Sequence, residues 1–315
     1  MAPAAPVDEI AGLSELGLTG AAFAAPVDGG DGVGFGEHEL VSPASVMKIQ
    51  IGLAVESLIA VGELDGTERR LLDSRRRTPG PVGLSLMRDD VSMSVRDLVV
   101  AMLTVSDNVA TDELIAVVGL ERVNGLTARL GMACTQIVSG LQDQLDAIAR
   151  DTGFSDFRAL AAHDPVDDGP PSDDEIRNAI AVTHAMNPAR WTRTTAAETV
   201  LLLRSIWTDS AGPPIACAAV RRGMAHQLTR QRIASGFDST VAIAAKSGGL
   251  LGVVRNEAGV VTFPDGAAYA VAVFTRRGSD VRTDPARIDS AIGAIARSLV
   301  DRLRNNHDAV GASSP

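Results

Sequence analysis

The strand-like segments of this 315-residue chain lie near its two ends, and this separation constrains the fold more than any other feature. Two short apolar runs, residues 20–27 and 32–41, lie near the N-terminus and are joined by an Asp-Gly-Gly-Asp turn typical of a hairpin. Three more runs, residues 241–246, 253–263 and 267–275, lie near the C-terminus. Because neither set is large enough for a stable sheet, we predict that both ends share one antiparallel five-stranded sheet.

The segment between the two ends carries the apolar spacing of α-helices. One long helix is predicted over residues 45–61, directly after Pro43. Further helices are predicted over residues 94–104, 109–118, 194–207 and 285–305. The sequence therefore predicts an α+β protein in which residues 1–44 and 190–315 form an α/β lobe. Residues 45–189 form an all-helical lobe, with a substrate cleft between the two.

Composition and charge narrow the choice of partners. The formal net charge of −10 disfavours a nucleic-acid-binding surface, which needs a basic face. No apolar stretch reaches the roughly 18 residues of a membrane-spanning helix, and the N-terminal residues lack the basic and apolar regions of a signal peptide. We therefore expect a cytoplasmic, monomeric protein that acts on a small molecule. We also expect Cys134 and Cys217 to be buried free thiols.

No motif points to a cofactor or a metal. The chain has no G-x-G-x-x-G loop, its histidines and cysteines do not cluster, and the aspartates of residues 163–174 lack EF-hand spacing. We therefore expect neither a metal nor a cofactor. Residues 151–175 are acidic and rich in proline, so we interpret them as a loop, and residues 69–81 as mostly loop.

Lysine is rare in this chain, which has 27 arginines but only Lys48 and Lys246. Arginine cannot give up its proton in a protein, whereas a buried amine can. The two lysines are therefore expected at positions where arginine cannot replace an amine. Each lies in a motif that is typical of a catalytic or substrate-binding site.

The first motif is Ser45-Val46-Met47-Lys48, an S-x-x-K at the start of the long apolar helix. Positions i and i+3 share a helix face, so the Lys48 amine is expected beside the Ser45 hydroxyl. Burial makes the amine lose its proton more easily, and it can then accept the proton of Ser45. Ser45 is the predicted nucleophile and Lys48 the predicted base.

Two further motifs complete the set. In Ser106-Asp107-Asn108, Ser106 can relay a proton to a leaving group and Asn108 can bind a substrate amide, while Asp107 stabilises the turn. In residues 246–249, Lys-Ser-Gly-Gly, Lys246 supplies positive charge, Ser247 supplies a hydroxyl, and the glycines let a substrate lie against the strand. The N–H groups of Ser45 and Gly249 are the predicted oxyanion hole.

In this order the three motifs resemble those of class A β-lactamases and penicillin-binding proteins. The resemblance extends over residues 20–305 and implies the β-lactamase/transpeptidase-like fold. It implies an acyl-enzyme on Ser45, with Lys246, Ser247 and Asn108 binding the substrate. Arg255 falls where the family often has an arginine that binds a substrate carboxylate.

One part of the chain departs from the family. The family's Ω loop carries E-x-x-L-N, whose glutamate activates the water that frees the acyl-enzyme, and this chain has no such motif. Instead it carries extra length, which we place at residues 139–174. The nearest substitute is Glu175, three residues before Asn178. Glu175 is the candidate deacylation base, but the structural interpretation, an acidic residue in the first turn of a helix, is favoured over it. Another residue, or no base at all, is the third alternative.

Three functions follow as alternatives. The first is a serine hydrolase that opens a β-lactam or related cyclic amide, and the second is an esterase or acyltransferase on the same fold. The third is a β-lactam-binding protein that acylates and turns over little. Esterases of the class C β-lactamase type use a tyrosine in place of the serine of the S-D-N motif. The only tyrosine of this chain, Tyr269, lies in a predicted strand, which disfavours such a site. No G-x-S-x-G elbow supports a Ser-His-Asp hydrolase.

Overall fold

The structure is a computed structural model that describes residues 7–164, 171–278 and 283–311. Its strands are β1 (Leu18–Pro26), β2 (Val33–Phe35), β3 (Arg69–Leu72), β4 (Val91–Ser94), β5 (Ala242–Leu250), β6 (Val254–Thr262) and β7 (Ala268–Arg277). Its α-helices are α1 (Val7–Glu15), α2 (Lys48–Ala60), α3 (Val95–Thr104), α4 (Asn108–Val118), α5 (Leu120–Arg129), α6 (Leu141–Asp151), α7 (Phe157–Ala162), α8 (Asp173–Ala181), α9 (Ala196–Trp207), α10 (Pro214–Ala225) and α11 (Pro285–Gly311).

The two ends of the chain share one antiparallel sheet of order β2-β1-β7-β6-β5, as the sequence predicts. The N-terminal hairpin joins the C-terminal strands through β1 and β7, with Leu18 opposite Arg277 and Pro26 opposite Tyr269. Side chains alternate across this sheet. Val271 and Val273 pack under α11, whereas the neighbouring Ala272 faces the helical lobe.

Helix α2 forms the centre of the helical lobe. It is apolar on all sides, and Ile49, Ile51, Leu53 and Val55 are fully buried, which is typical of a helix enclosed by others. Helices α3, α4, α5 and α10 pack around it. Helix α3 begins at the predicted capping residue Ser94, whose Oγ accepts a hydrogen bond from the backbone N–H of Asp97. The predicted helices of this lobe and the α+β fold class are confirmed.

One sequence expectation is incomplete, since residues 69–81 are mostly loop but begin with a strand, and two others are wrong in detail. Residues 69–72 form β3, which pairs with β4. Local composition does not predict this strand, because it depends on pairing with β4. Residues 157–162 form α7, a helix begun by the Asp156 side chain, although the surrounding segment is interpreted as a loop. Residues 165–170 of that segment lie outside the described residues. Cys217 is a buried thiol as expected, but Cys134 is exposed.

Helices α6, α7 and α8 form a separate small layer, which we call the roof. They pack around a core that includes Leu145, Ile148, Leu160 and Ile180. This core continues onto Leu250 at the end of β5. The roof therefore covers one edge of the sheet next to the start of α2. Within the described residues, no helix is long and apolar enough to cross a membrane.

Candidate active site

Ser45 lies in a short 3-10 turn, Ala44–Met47, that continues directly into α2. Ala44 holds a backbone φ of +47°, an unfavourable value for a residue with a Cβ atom. Such strain persists only where the surroundings enforce it, and it is common at functional sites. Ser45 itself is half-buried. The turn therefore places the predicted nucleophile at the start of the most buried helix of the protein.

Lys48 is the first residue of α2, and its side chain is completely buried. Its Nζ donates hydrogen bonds to the backbone oxygen of Ser106 (2.7 Å), to Ser106 Oγ (3.2 Å) and to Asn108 Oδ1 (3.0 Å). Burial lowers the pKa of Lys48 to about 7, while the negative charges of Asp107 and then Asp112 act in the opposite direction. At neutral pH a substantial fraction of this amine is uncharged and able to accept a proton.

The S-D-N motif forms a strained turn between α3 and α4. Ser106 has a backbone φ of +62°, and its side chain faces the Lys48 amine. Asp107 is buried and accepts from the N–H of Ala110 at 2.9 Å, which caps α4. Asn108 bonds to Lys48 through Oδ1 and donates from Nδ2 to the backbone oxygen of Pro79 at 2.8 Å. The structure thus brings Lys48, Ser106 and Asn108 together, and their roles in catalysis and substrate binding stay predictions.

Strand β5 lies directly against the 3-10 turn. A Cβ atom on Gly248 would lie 2.7 Å from the backbone oxygen of Pro43, so only glycine allows this approach. Gly249 is exposed to the cleft. The roles of Ser45 and Gly249 as the oxyanion hole stay a prediction.

Lys246 is as deeply buried as Lys48. Its Nζ donates to the backbone oxygen of Ser247 at 2.9 Å. Burial lowers the pKa of Lys246 well below its usual value, and the neighbouring charge of Lys48 adds to this effect. Ser247 Oγ donates to Thr229 Oγ1 at 3.3 Å. Lys246 is therefore buried close enough to Lys48 to feel its charge, and its contact with the substrate stays a prediction.

Arg255 is bound to Asp289, a residue outside the three motifs. Its Nε and Nη2 donate to the two carboxylate oxygens of Asp289 on α11, at 2.5 and 2.6 Å. Arg232 donates to the same carboxylate at 2.8 Å and to the backbone oxygen of Gly248 at 2.7 Å. Arg232 is buried, whereas the Arg255 side chain is 32% exposed and lines the cleft. Asp289 thus fixes both arginines against the edge of β5.

Gln227 and Glu257 support β5 from behind. Gln227 accepts a hydrogen bond from the N–H of Ser247 and donates to Glu257 Oε1 at 3.0 Å. Glu257 is buried and also accepts from the N–H of Ile233 at 2.6 Å, and its burial raises the pKa of the carboxyl group. Sequence reasoning misses these two residues because their contacts join segments 20 to 30 residues apart.

Asp112 connects the roof to helix α4. Its carboxylate accepts hydrogen bonds from the N–H groups of Leu141 (2.6 Å) and Gln142 (2.9 Å), which begin α6, and from Thr78 Oγ1 (2.6 Å). Sequence reasoning also misses this residue. The sequence contains one signal that could have identified Asp112: it lies one helical turn after Asn108, on the same face of α4.

Glu175 lies away from this cluster of side chains. It is exposed, and its Oε2 accepts hydrogen bonds from the N–H (2.7 Å) and Oγ (2.8 Å) of Ser172 in a capping box that begins α8. Both hydrogen bonds lower the pKa of Glu175, the bond from the Ser172 N–H more than the bond from the Ser172 hydroxyl. The structure thus gives Glu175 the helix-capping position that is the alternative to a deacylation base.

A cleft of about 1090 Å³ lies between the roof and the edge of the sheet. Asn108, Gly249 and Arg255 line it, so it is continuous with the cluster around Lys48. The rest of its lining comes from the loop of residues 79–81, the roof, the turn after β5 and the start of α11. This is the expected position of a substrate site between two lobes.

Comparison with known proteins agrees with this arrangement. A β-lactamase regulatory protein, BlaB of Streptomyces cacaoi, is 28% identical over 314 residues, which cover 93% of this chain and 95% of BlaB. Among solved structures, a β-lactamase from Sphaerobacter thermophilus DSM 20745 is 24% identical, with a TM-score of 0.73 over 98% of both chains. PBP-A is 18% identical, with a TM-score of 0.71 over 95% of this chain and 97% of PBP-A.

These structural similarities confirm the predicted β-lactamase/transpeptidase-like fold. A sequence model named Beta-lactamase2 and described as the Beta-lactamase enzyme family matches residues 7–303, nearly the whole chain. The three motifs on which the resemblance depends all lie within the matched residues. The chain therefore belongs to the Beta-lactamase enzyme family.

Proposed function

We propose that this protein is a serine acylating enzyme of the β-lactamase type, in which Ser45 attacks the carbonyl carbon of a β-lactam or related cyclic amide. The observation that carries the proposal is Lys48, a fully buried amine with a pKa of about 7 that is bonded to Ser106 and Asn108. Few positions keep an uncharged amine next to a hydroxyl at neutral pH, and a nucleophilic serine needs such a base.

The chemistry follows from these positions. The uncharged Lys48 amine takes the proton of Ser45 Oγ as the oxygen attacks the carbonyl carbon. Ser106 then passes a proton to the amide nitrogen as the ring C–N bond breaks, since its hydroxyl lies 3.2 Å from Lys48 Nζ. The N–H groups of Ser45 and Gly249 stabilise the negative charge on the carbonyl oxygen. The product is an ester on Ser45.

We propose further that this ester is hydrolysed slowly. Deacylation needs a base that activates water, and the carboxylate of Glu175 is used within its own helix cap. In the described part of the chain, the acceptors around Lys48 Nζ are backbone oxygens, a hydroxyl and an amide oxygen, not a carboxylate. The similarity to BlaB, which is named as a β-lactamase regulatory protein, supports a role other than rapid β-lactam hydrolysis.

A second candidate is an esterase or acyltransferase that uses the same Ser45 and Lys48. The observation in its favour is the roof, which replaces the family's Ω loop and shapes one wall of a cleft of about 1090 Å³. That volume is at or above the usual range of roughly 300–1,000 Å³ for ligand sites. A reshaped wall can admit a different acyl group or a different acceptor.

Intact-protein mass spectrometry over time tests both candidates. The protein is mixed separately with a penicillin, a cephalosporin and p-nitrophenyl acetate, and the mass is followed from seconds to hours. We expect a stoichiometric adduct with at least one reagent, absent in Ser45→Ala and present in Ser14→Ala, a matched change at an exposed serine of α1. A long-lived β-lactam adduct supports the first candidate, and rapid turnover of the ester alone supports the second. Equal labelling of Ser45→Ala would contradict both.

A further inference from the structure

The cleft has an apolar part that the acylation chemistry does not need. Asn108 and Gly249 connect the cleft to the proposed acylation site. Much of the remaining lining is apolar, with Leu145 and Phe157 from the roof and Leu251 from the turn between β5 and β6. Opening a cyclic amide requires only the polar part. The apolar part therefore fits a further portion of the substrate.

Leu251 reaches this cleft in a strained backbone conformation. Its φ is +45°, in the left-handed region that leucine rarely adopts, and Gly252 follows it with a φ of +73°. A glycine would satisfy the turn at position 251 without strain. The leucine side chain instead packs against the roof core and lines the cleft. Strain of this kind is concentrated at functional sites, so the position of Leu251 points to a role in binding.

The rim of this apolar part is charged. Arg177 on α8 reaches the turn, where its Cδ lies 3.9 Å from the position of a Cβ on Gly252. Arg177 also forms an ion pair with Asp174 at 2.8 Å, and both residues line the cleft. An apolar group that extends past this rim would meet charged side chains. The cleft therefore favours an apolar group of limited length.

We infer that the preferred substrates are acyl donors whose acyl group carries a medium-length apolar arm, which lies between the roof and Leu251. The inference rests on the proposed function, because the arm is placed by acylation of Ser45. In that step the Ser45 Oγ–acyl carbon bond forms, the bond from the acyl carbon to the leaving oxygen or nitrogen breaks, and the serine proton passes to the Lys48 amine. Phe157, Leu145 and Leu251 are the residues that select the arm.

The first test compares p-nitrophenyl acetate with p-nitrophenyl octanoate below its micelle concentration. Acylation kcat/KM is corrected for the reactivity of each ester with hydroxide and for the Ser45→Ala background. Each methylene that becomes buried contributes about fourfold, so we expect an octanoate-to-acetate ratio of about tenfold or more. Phe157→Ala and Leu251→Gly are expected to lower this ratio by about tenfold. Val182→Ala changes an exposed residue at the end of α8 and should leave the ratio unchanged.

The second test measures binding without chemistry. Isothermal titration of Ser45→Ala with sodium octanoate and sodium acetate should show tighter binding of octanoate, and Phe157→Ala in the same background should remove the difference. Equal ester ratios in the wild type, Phe157→Ala and Leu251→Gly, or equal binding of the two acids, would overturn the inference. If no ester or β-lactam acylates Ser45 while octanoate still binds through Phe157, the proposed function fails and the apolar acyl site remains.

Discussion

The two walls of the cleft are built in different ways. The wall that holds Ser45 consists of α2, the S-D-N turn and β5, and its two lysines are fully buried and bonded to neighbouring polar groups. The roof is smaller and more exposed. In the roof, Arg177 pairs with Asp174 within a single helix, and Phe157 is only half-buried.

This difference separates the reaction from the choice of substrate. A buried amine with a shifted pKa exists only where the surrounding structure excludes water and fixes every polar partner. The wall of α2 and β5 meets that condition, so in the proposed reaction it provides the acylation chemistry. The roof contributes apolar surface to the cleft, so in the proposed reaction it selects the acyl group. Changes in the first wall should therefore have larger effects than changes in the roof.

The largest expected effect comes from Lys48. Lys48→Arg should reduce the acylation rate almost as much as Lys48→Ala, because arginine keeps the charge but cannot accept a proton. Loss of a general base typically costs about 10²–10⁴-fold in rate. Stopped-flow acylation with a chromogenic cephalosporin, or with an activated ester, measures it. If Lys48→Arg keeps most of the wild-type rate, the amine acts only through its charge.

The pH dependence of acylation should show the same base. Only the uncharged Lys48 amine accepts the proton of Ser45, and its pKa is about 7. The acylation rate should therefore rise as the pH increases through about 7 and reach a plateau above it. An amine with the usual pKa near 10.4 would give a rate that keeps rising to pH 9 and beyond. A pH–rate profile between 5.5 and 9.5 distinguishes the two.

Sequence reasoning recovers the wall of α2 and β5 far better than the roof. S-x-x-K, S-D-N and K-S-G-G are short segments. Local helix rules predict Lys48 on the face of the helix that carries Ser45, and strand rules put the glycines on a strand, where the structure has Gly248 and Gly249. The shared sheet follows from the positions of the apolar runs. Contacts such as those of Asp112 with α6, or of Asp289 with Arg255, join residues about 30 positions apart, and no local pattern specifies them. Helix α7 is missed because tertiary packing stabilises a six-residue helix that its composition does not favour.

Asp112 joins the two walls, and its removal should affect both. Asp112→Ala deletes three hydrogen bonds to a carboxylate and should lower the free energy of unfolding by about 2–4 kcal/mol. Its negative charge also raises the pKa of Lys48, so the rise of the acylation rate should move to lower pH. Denaturant unfolding and the pH–rate profile measure these effects. Asp146→Ala is the matched control, because Asp146 accepts from Phe157 N and Gln142 Nε2 within the roof.

The control separates the two roles of Asp112. Asp146→Ala should also reduce stability, but the pH at which acylation rises should stay at about 7. If both variants shift this pH equally, the shift reports loosening of the roof and not the charge of Asp112. If neither variant changes stability, the roof is held by its apolar core alone.

Arg255 should affect only acidic substrates, and by a smaller factor. Two of its nitrogens bind Asp289, and we predict that Nη1 binds a substrate carboxylate. Arg255→Gln should raise the KM of a penicillin by about tenfold, the value of one charge-assisted hydrogen bond, and should leave a neutral ester nearly unaffected. Arg221→Gln is the matched control, since Arg221 pairs with Asp209 on the surface. Equal losses on both substrates would assign Arg255 a structural role.

The smallest expected effect is that of Glu175→Gln, which tests whether the roof carries the deacylation base. The carboxylate of Glu175 is exposed and bonded to Ser172, and these bonds lower its pKa. A lower pKa makes it a weaker base, and its position in a helix cap keeps it from the residues around Lys48. Glutamine retains an acceptor for the N–H of Ser172, so turnover of the acyl-enzyme should change by less than about twofold, as for an ordinary surface substitution.

The rate is measured as loss of the penicilloyl adduct by mass spectrometry after excess penicillin is removed. Ser172→Ala breaks the same cap without touching the carboxylate, and the two variants should behave alike. A fall of 100-fold or more in Glu175→Gln alone, in the usual range for loss of a general base of about 10²–10⁴, would mean that Glu175 leaves its cap to activate water in the acyl-enzyme. The roof would then take part in the reaction itself and not only in the choice of substrate.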